Sequence, residues 1–381
     1  MNNALLIIIL IFYCPAALWL FLYGMNNYYM IYLFLRKFKK ETTGNQKFLE
    51  QFWSNHNKDN LPKVTTQLPV YNERHVVERL IKAVVNIDYP KELHEIQVLN
   101  DSNDETKEIV SELVNKYRAV GVNIKHVVRD NRDGFKAGAL NLGMEKAEGE
   151  FLSIFDADFV PEKDFLYNTI PFFYERPKVA IVQTRWGHIN RNYSLLTIAQ
   201  SIGIDGHFII EQGARTWNGL YMNFNGTAGV WRREAIIDAG GWHFDTLTED
   251  LDLSYRAQLK GWSTKFLFDV VAPSELPVDI NAYKSQQHRW AKGSIQTAKK
   301  LLPQVFKTND SLIRKAEAFI HLNQYMVHPM MIILALLSFP LIVLLKEQIS
   351  NMSVSLTMII MMFLISMGAF APTFLYIVSQ K

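Results

Sequence analysis

Apolar positions pile up at the two ends of this chain, while its middle alternates apolar and polar like an ordinary soluble domain. From Ala4 to Tyr23 the sequence is apolar apart from a mild break at Pro15, a run of about twenty residues that can cross a bilayer as a helix. Its start, Met1-Asn-Asn-Ala, lacks the positive charge of a secretory leader, so it reads as an anchor. Behind Tyr28 to Leu35 comes Arg36-Lys-Phe-Lys-Lys40, which by the positive-inside rule stays cytoplasmic. The N-terminus is therefore expected outside and the middle of the chain inside. Towards the other end, Leu312 to Ile320 is amphipathic and suited to lie flat at the interface. Met326 to Leu345 and Val354 to Val378 are two further spans, joined by the short link Lys346 to Ser353. Three crossings return the C-terminus to the cytoplasm.

Between the apolar ends, strand-like and helix-like stretches alternate. Val64 to Val70 predicts a strand, Val76 to Ile87 a helix, Ile96 to Leu99 a strand and Glu105 to Ala119 a helix. Asn123 to Val128 predicts a third strand, Asn141 to Ala147 a helix and Phe151 to Phe155 a fourth strand. Strands separated by helices imply parallel pairing with right-handed crossovers. Such sheets hold ligands beyond the carboxyl ends of their strands. Tyr71, Glu73, Asp101, Asp104, Asp156 and Asp158 all fall just after strands, hence on one rim.

Composition adds little and excludes some classes. With 40 Lys and Arg against 37 Asp and Glu, the chain has no nucleic-acid footprint. Cys14 is the single cysteine, which rules out an internal disulfide or a cysteine metal site. No repeats or low-complexity tracts interrupt the chain.

The chemistry concentrates in short segments. Asp156 and Asp158 are two apart at a strand end, so they face the same way; a divalent cation is the usual partner of two such carboxylates. A polar turn after a core strand is the plain alternative. Lys136, flanked by Gly134 and Gly138, can meet a phosphate or sit in a basic surface turn. Phe224-Asn-Gly-Thr227 is a glycine-containing turn. In Thr246 to Asp252 three carboxylates lie within four residues at a helix start, where they complement the helix dipole or supply a general base. Tyr283 to Lys292 reads as a helix that is either part of a site or a solvated basic face near a membrane.

Taken in order, Leu68-Pro-Val-Tyr-Asn-Glu73, Asn100-Asp-Ser-Asn-Asp104, the Lys136 segment, Phe155-Asp-Ala-Asp158, Thr248-Glu-Asp250 and Gln286-Gln-His-Arg-Trp290 resemble the membrane-bound family 2 glycosyltransferases. Gln183-Thr-Arg-Trp186, Phe224 to Trp231 and Ala239-Gly-Gly-Trp242 are similar to the cellulose-synthase-like mannan and glucomannan synthases. The resemblance spans roughly residues 60 to 320. It implies an α/β GT-A (Rossmann-like) domain inserted between transmembrane helices: an anchor over 1–40, the cytoplasmic domain over 41–310, an interfacial helix over 311–322 and two membrane helices over 323–381.

It also implies a metal-dependent, inverting hexosyl transfer from GDP-mannose or UDP/GDP-glucose to a growing β-glycan. In that scheme Tyr71 and Glu73 line the base and ribose pocket, and Asp101 and Asp156 contact the nucleoside. Asp158 binds Mg²⁺ or Mn²⁺, Lys136 holds the phosphates, and Glu249 contacts substrate. Asp250 is the general base, Arg289 neutralises the leaving diphosphate, and Gln286 and Trp290 hold the acceptor sugar. The expected partners are a nucleotide sugar, a glycan or lipid acceptor and the bilayer, with no nucleic acid; a homo-oligomer is compatible. The expected compartment is the plasma membrane for a bacterial chain and the Golgi for a plant-like one.

Two departures from the family pattern stand out. Asn100-Asp101 replaces the usual pair of acids, and polymerising relatives carry more C-terminal membrane helices, so this chain is expected to be a shortened one. Two alternatives stay open: a non-processive transferase that adds one sugar to a lipid, as ceramide glucosyltransferases do, and a sugar-nucleotide-binding membrane protein without catalysis.

Overall fold

The computed structural model describes residues 2–56, 60–345 and 352–380. Its first element, helix α1 (Asn2–Asn55), is a single helix of 54 residues. The apolar stretch, the basic cluster and a following aromatic stripe are thus one rod. Phe48 and Phe52, spaced one turn apart, share a face with Trp53 beside them. Phe48 meets Phe172 at 5.1 Å and Trp53 meets Tyr167 at 5.1 Å. That burial against the domain keeps the helix going past Lys40, so the expected boundary at residue 40 falls inside it.

The domain alternates β1 (Val64–Val70), α2 (Val77–Val85), β2 (His94–Asn100), α3 (Thr106–Ala119), β3 (Ile124–Val128), α4 (Phe135–Lys146) and β4 (Phe151–Ile154). Short helices α5 (Phe165–Thr169) and α6 (Phe172–Glu175) lead to β5 (Val179–His188), α7 (Leu195–Asp205) and α8 (Gln212–Trp217). Then come β6 (Gly229–Arg232), α9 (Arg233–Asp238), α10 (Glu249–Leu259), β7 (Ser263–Ser274) and the long α11 (Ile280–Lys307). The seven strands form one sheet in the order β3-β2-β1-β4-β6-β5-β7. β1 to β4 pair in parallel, as their spacing predicts. β6 runs antiparallel to both β4 and β5, and β7 is parallel to β5. Because β6 is reversed, it begins at the rim where β4 ends. The turn over residues 224–228 is thereby delivered beside Asp156.

Both faces of the sheet are covered. One side buries Leu68, Val98, Phe151 and Phe155 together with α2 and α3 residues such as Leu80 and Val110. The other buries Leu152, Ile154, Trp231 and Trp242 against Leu140 of α4 and Leu253 of α10. Each fully buried side chain of this size contributes on the order of 2 kcal/mol by leaving water. The rim is therefore anchored on a rigid base.

Helix α4 starts at Phe135 rather than Asn141. Gly134 and Phe135 both adopt left-handed φ values, 70° and 48°, and this turn lets the helix begin early. Lys136 consequently sits in a first helical turn.

Helix α12 (Leu312–Leu322) follows the domain, then α13 (Val327–Leu345) and α14 (Met352–Ser379). By length and apolarity Ala4–Asn55 and Gln324–Leu345 are candidate spans, and α14 carries the apolar stretch Ile365–Ser379. Both α13 and α14 lie against α1. Gly24 and Gly368 lack side chains where α1 and α14 cross, and a β-carbon on Gly24 would overlap the Gly368 backbone. Most of the expected link from Lys346, residues 346–351, lies outside the described residues.

Candidate active site

The loops after β1 and β2 are stitched side to side at the rim. Asn72, with φ of 57°, donates from Nδ2 to Asn103 Oδ1 at 2.9 Å, and the Asn103 N–H donates back to Asn72 Oδ1 at 3.1 Å. The Asn72 N–H donates to Ser102 Oγ at 2.9 Å. On this loop the exposed Tyr71 ring lies under the Arg132 guanidinium, whose carbon is 3.2 Å from the ring centroid. Desolvation, then the charges of Asp156 and Asp104, push the Glu73 carboxyl above its usual range. Asp104 instead accepts the N–H of Thr106, the first residue of α3, at 3.0 Å.

Asp101 already has a partner. Arg129 donates from Nε to its Oδ1 at 2.9 Å and from a second nitrogen to Oδ2, and both side chains are buried. The same guanidinium donates to the carbonyls of Asp133 at 2.7 Å and Phe135 at 2.9 Å. Gly138 makes room for it, since a β-carbon there would fall 2.5 Å from an Arg129 nitrogen.

Three charged groups meet over Gly226. Lys136 Nζ donates to Asp156 Oδ1 at 2.5 Å and to the Gly226 carbonyl at 3.0 Å. Gly226 has φ of 78°, and a β-carbon on it would sit 3.0 Å from Asp250 Oδ2 and 3.3 Å from Lys136 Nζ. Glycine here thus serves both the backbone angle and the close approach. The Asp156 N–H donates to Thr227 Oγ1 at 2.9 Å, locking this turn to the end of β4. Burial works against the Lys136 charge, but Asp156, Glu249 and Asp250 hold its titration above the usual range.

The neighbouring acids show the strain of a crowded, desolvated site. Asp158 is pushed up to about 7, by burial first and then by Asp156 and Glu73. Asp250 also reaches about 7, through burial and then Glu249, with Lys136 opposing. Glu249 is raised by burial, while Lys136 and Arg289 pull the other way. Glu249 and Asp250 begin α10, and α11 crosses it closely. Gly293 abuts Thr248, the Leu247 N–H donates to Gln296 Oε1 at 3.0 Å, and the Thr248 and Thr297 hydroxyls are 3.3 Å apart. Arg289 lies one turn before Gly293 on α11 and bears on the Glu249 carboxyl. Gln286 and Trp290, also one turn apart, are half-buried on the same helix.

Glu73, Lys136, Asp156, Asp158, Glu249, Asp250 and Arg289 thus share one site. Tyr71 and Asp101 flank it, engaged by Arg132 and Arg129. Sequence reading gave no role to Arg129 or Gly293, and took Thr227 only as part of a glycine-containing turn. For Arg129 the signal was there, a cation at the carboxyl end of β3 on the same rim.

Five carboxylates face one ammonium and one guanidinium here, so the excess of hard oxygen donors fits a divalent cation. Asp158 is the residue the family resemblance assigns to the metal, and Asp156 lies two positions before it. A second acidic group, His243, Asp245 and Asp252, has its donor atoms within 4.8 Å of one another. Lys300 already fills it, 2.7 Å from Asp245, 2.8 Å from Asp252 and 3.1 Å from His243 Nδ1. Arg256 adds a bond to Asp252 at 2.7 Å. That cluster carries its own cations and braces the loop before α10.

A mixed sheet with acids and a lysine at its carboxyl rim is the GT-A fold of nucleotide-sugar glycosyltransferases. The mannosyltransferase PcManGT from Pyrobaculum calidifontis, solved with GDP-Man and Mn²⁺, shares it with a TM-score of 0.59 at 20% identity, over 91% of this chain and 98% of that one. Residues 62–293 match the glycosyltransferase like family 2, and the chain belongs to that family. It is 45% identical over 250 residues to a probable glucomannan 4-beta-mannosyltransferase 11 of Oryza sativa subsp. japonica, covering 65% of this chain and 44% of the relative. It is 44% identical over 248 residues to glucomannan 4-beta-mannosyltransferase 1 of Cyamopsis tetragonoloba, covering 64% and 47%. The chain spans about half the length of these relatives.

Proposed function

We propose that this chain transfers a mannosyl unit from a nucleotide-diphosphate sugar to the growing end of a β-linked mannan or glucomannan. The meeting of Asp250, Lys136 and Asp156 over Gly226 carries the reading. The names of its plant relatives and the GDP-mannose in its archaeal neighbour support the choice of sugar.

Asp250 takes the proton of the acceptor hydroxyl. That oxygen attacks the anomeric carbon opposite the diphosphate, the carbon–oxygen bond to the diphosphate breaks, and the configuration inverts. A base titrating near 7 is matched to this task. Lys136 and Arg289 stabilise the departing negative charge. Tyr71, Glu73, Asp101 and Asp156 line the nucleoside, and Glu249, next to the base in the chain, contacts substrate within the field of Lys136 and Arg289. Trp290 offers a flat apolar face for the acceptor sugar, with Gln286 beside it to hydrogen-bond. Asp158, with Asp156, would hold Mg²⁺ or Mn²⁺, which when bound supplies charge neutralisation at the diphosphate. The basic cluster from Arg36 to Lys40 favours the cytoplasmic side for the domain, with the apolar first part of α1, α13 and α14 in the membrane.

The test is to incubate membranes holding the chain with radiolabelled GDP- and UDP-sugars and to size the product. A mannose polymer that disappears with EDTA supports the reading. A lipid bearing one sugar, or no transfer from any donor, would overturn it.

A further inference from the structure

We propose that His207, oriented by Glu211, is a positioning residue for the transfer: it tethers Asn225 and so sets the Gly226 turn on which Lys136 and Asp250 meet. This rests on the transferase reading above and adds to it a residue that acts through another.

Gly226 is the pivot of that site, and a glycine holds its own backbone angle weakly. Its flanks must be fixed from elsewhere. On one side Thr227 is bonded to Asp156, and its carbonyl accepts from Gln183 Nε2 at 3.2 Å. On the other the Asn225 N–H donates to Gln183 Oε1 at 3.0 Å. The Asn225 side chain adds a second tether. Its Nδ2 donates to His207 Nε2 at 2.9 Å, and its Oδ1 accepts from Gln212 Nε2 and, at 3.3 Å, from Asn223 Nδ2.

The polarity of this chain is fixed throughout. The opposite orientation of the Asn225 amide would aim its N–H₂ at two other N–H₂ groups, so Asn225 donates to His207. His207 Nε2 is then a bare acceptor. Glu211 sets that tautomer: its Oε2 lies 2.9 Å from His207 Nδ1 and draws the ring proton there. Burial works against the Glu211 charge, but His207 and Arg215 hold its titration below the usual range.

The backbone beneath matches. Gly206–Glu211 is a π-helical turn between α7 and α8. Side chains five apart point about 140° from each other on an α-helix, while the wider π turn brings His207 and Gln212 towards one face. Both thereby reach Asn225. Such turns are rare and recur at functional sites. Gly206 seats this one on α14, where a β-carbon would come 2.8 Å from Leu375 and 2.9 Å from Tyr376.

Two amide variants that differ by one methylene test the tether. His207→Gln carries its amide out to the place of Nε2 and reaches Asn225, whereas His207→Asn stops near Nδ1 and reaches only Glu211. Membranes holding the full chain, supplied with radiolabelled GDP-mannose and Mn²⁺, give kcat and KM, normalised to the folded protein counted by thermal unfolding in detergent. His207→Asn should lose about 10- to 100-fold in kcat, the scale of a small misplacement, and His207→Gln should stay within about fivefold of wild type. KM for the donor should move less than kcat, since Lys136 and Asp250 serve charge that develops during transfer. In an Asn225→Ala background the two variants should turn over alike, because the coupling has lost its partner. Equal turnover of the two in the wild-type background, or a difference that persists without Asn225, would overturn the proposal and leave the transferase reading intact. A loss of folded protein with kcat unchanged would also overturn it, making His207 a stability residue. If wild type transfers nothing, the transferase reading fails and this one with it.

Discussion

Gly293 of α11 lies so close to Thr248 that a β-carbon would come within 2.8 Å of its hydroxyl oxygen and 2.9 Å of its backbone nitrogen. This contact sets the distance between the helix bearing Arg289 and the turn bearing Asp250. Neither partner can yield cheaply, since one is backbone and the other sits beside the base. Gly293→Ala should therefore push α11 outward and misplace Arg289 by a fraction of an ångström or more. Transfer should fall on the order of 100-fold, as small misplacements do, and GDP, whose diphosphate Arg289 would neutralise, should bind more weakly as well. Wild-type turnover in this variant would separate the α11 crossing from the chemistry.

Asp250→Asn keeps the shape of the site and removes the proton acceptor. Transfer should drop by about 10²- to 10⁴-fold while donor binding persists. The pH profile gives a second check. The wild-type base works only when deprotonated, so the rate should climb as pH rises through about 7 and level off above it. The residual rate of the variant should lack that limb. If the variant keeps the limb, the titrating group is another residue.

Much of the fold was legible because β1 to β4 are apolar runs ending in polar residues, the pattern of buried parallel strands. Asp156 and Asp158 could be placed for the same reason: alternation on a strand fixes which side chains face together. β6 was not legible, since four residues carry no direction and its reversal is set by pairing with β4 and β5. Lys136 looked like a loop residue because left-handed φ at Phe135 is a tertiary choice that no propensity encodes. Asp101 read as a free ligand group because its partner Arg129 is distant in sequence and reaches it only through the space left at Gly138. Helix α1 looked as if it ended at its basic cluster, since the burial that extends it comes from Phe172 and Tyr167.

Lys300 supplies a cation to Asp252, a fully buried carboxylate. Lys300→Met should leave Asp252 with Arg256 alone and destabilise the protein by up to about 3 kcal/mol, the scale of breaking a buried pair. Adding Asp252→Asn to it should recover part of the loss, because no unpaired charge remains. Thermal unfolding in detergent would read both steps. A neutral outcome for Lys300→Met would mean that Arg256 suffices, and that this cluster does not brace the loop before α10.

Asp158 ties the acid–base behaviour of the site to its stability. Its carboxyl rises from 3.8 to about 7 on folding, so the folded state holds this proton more tightly than the unfolded state. Between those two values folding takes up a proton, and stability declines as pH rises; above about 7 the contribution is gone. Asparagine mimics the neutral acid and escapes the penalty. In EDTA, Asp158→Asn should thus unfold at a higher temperature than wild type near pH 8, and the gap should narrow as pH falls below about 7 and close only near pH 4, where the unfolded chain is protonated too. Comparing the two proteins cancels the histidines and other carboxylates, which titrate in both. Excess Mn²⁺ should then raise the wild-type unfolding temperature near pH 8 and leave the variant largely unmoved, because binding to the folded state alone is stabilising. If the two proteins melt together at high pH in EDTA, Asp158 is not the strained acid of this site. If Mn²⁺ lifts both alike, the cation is held by residues other than Asp158.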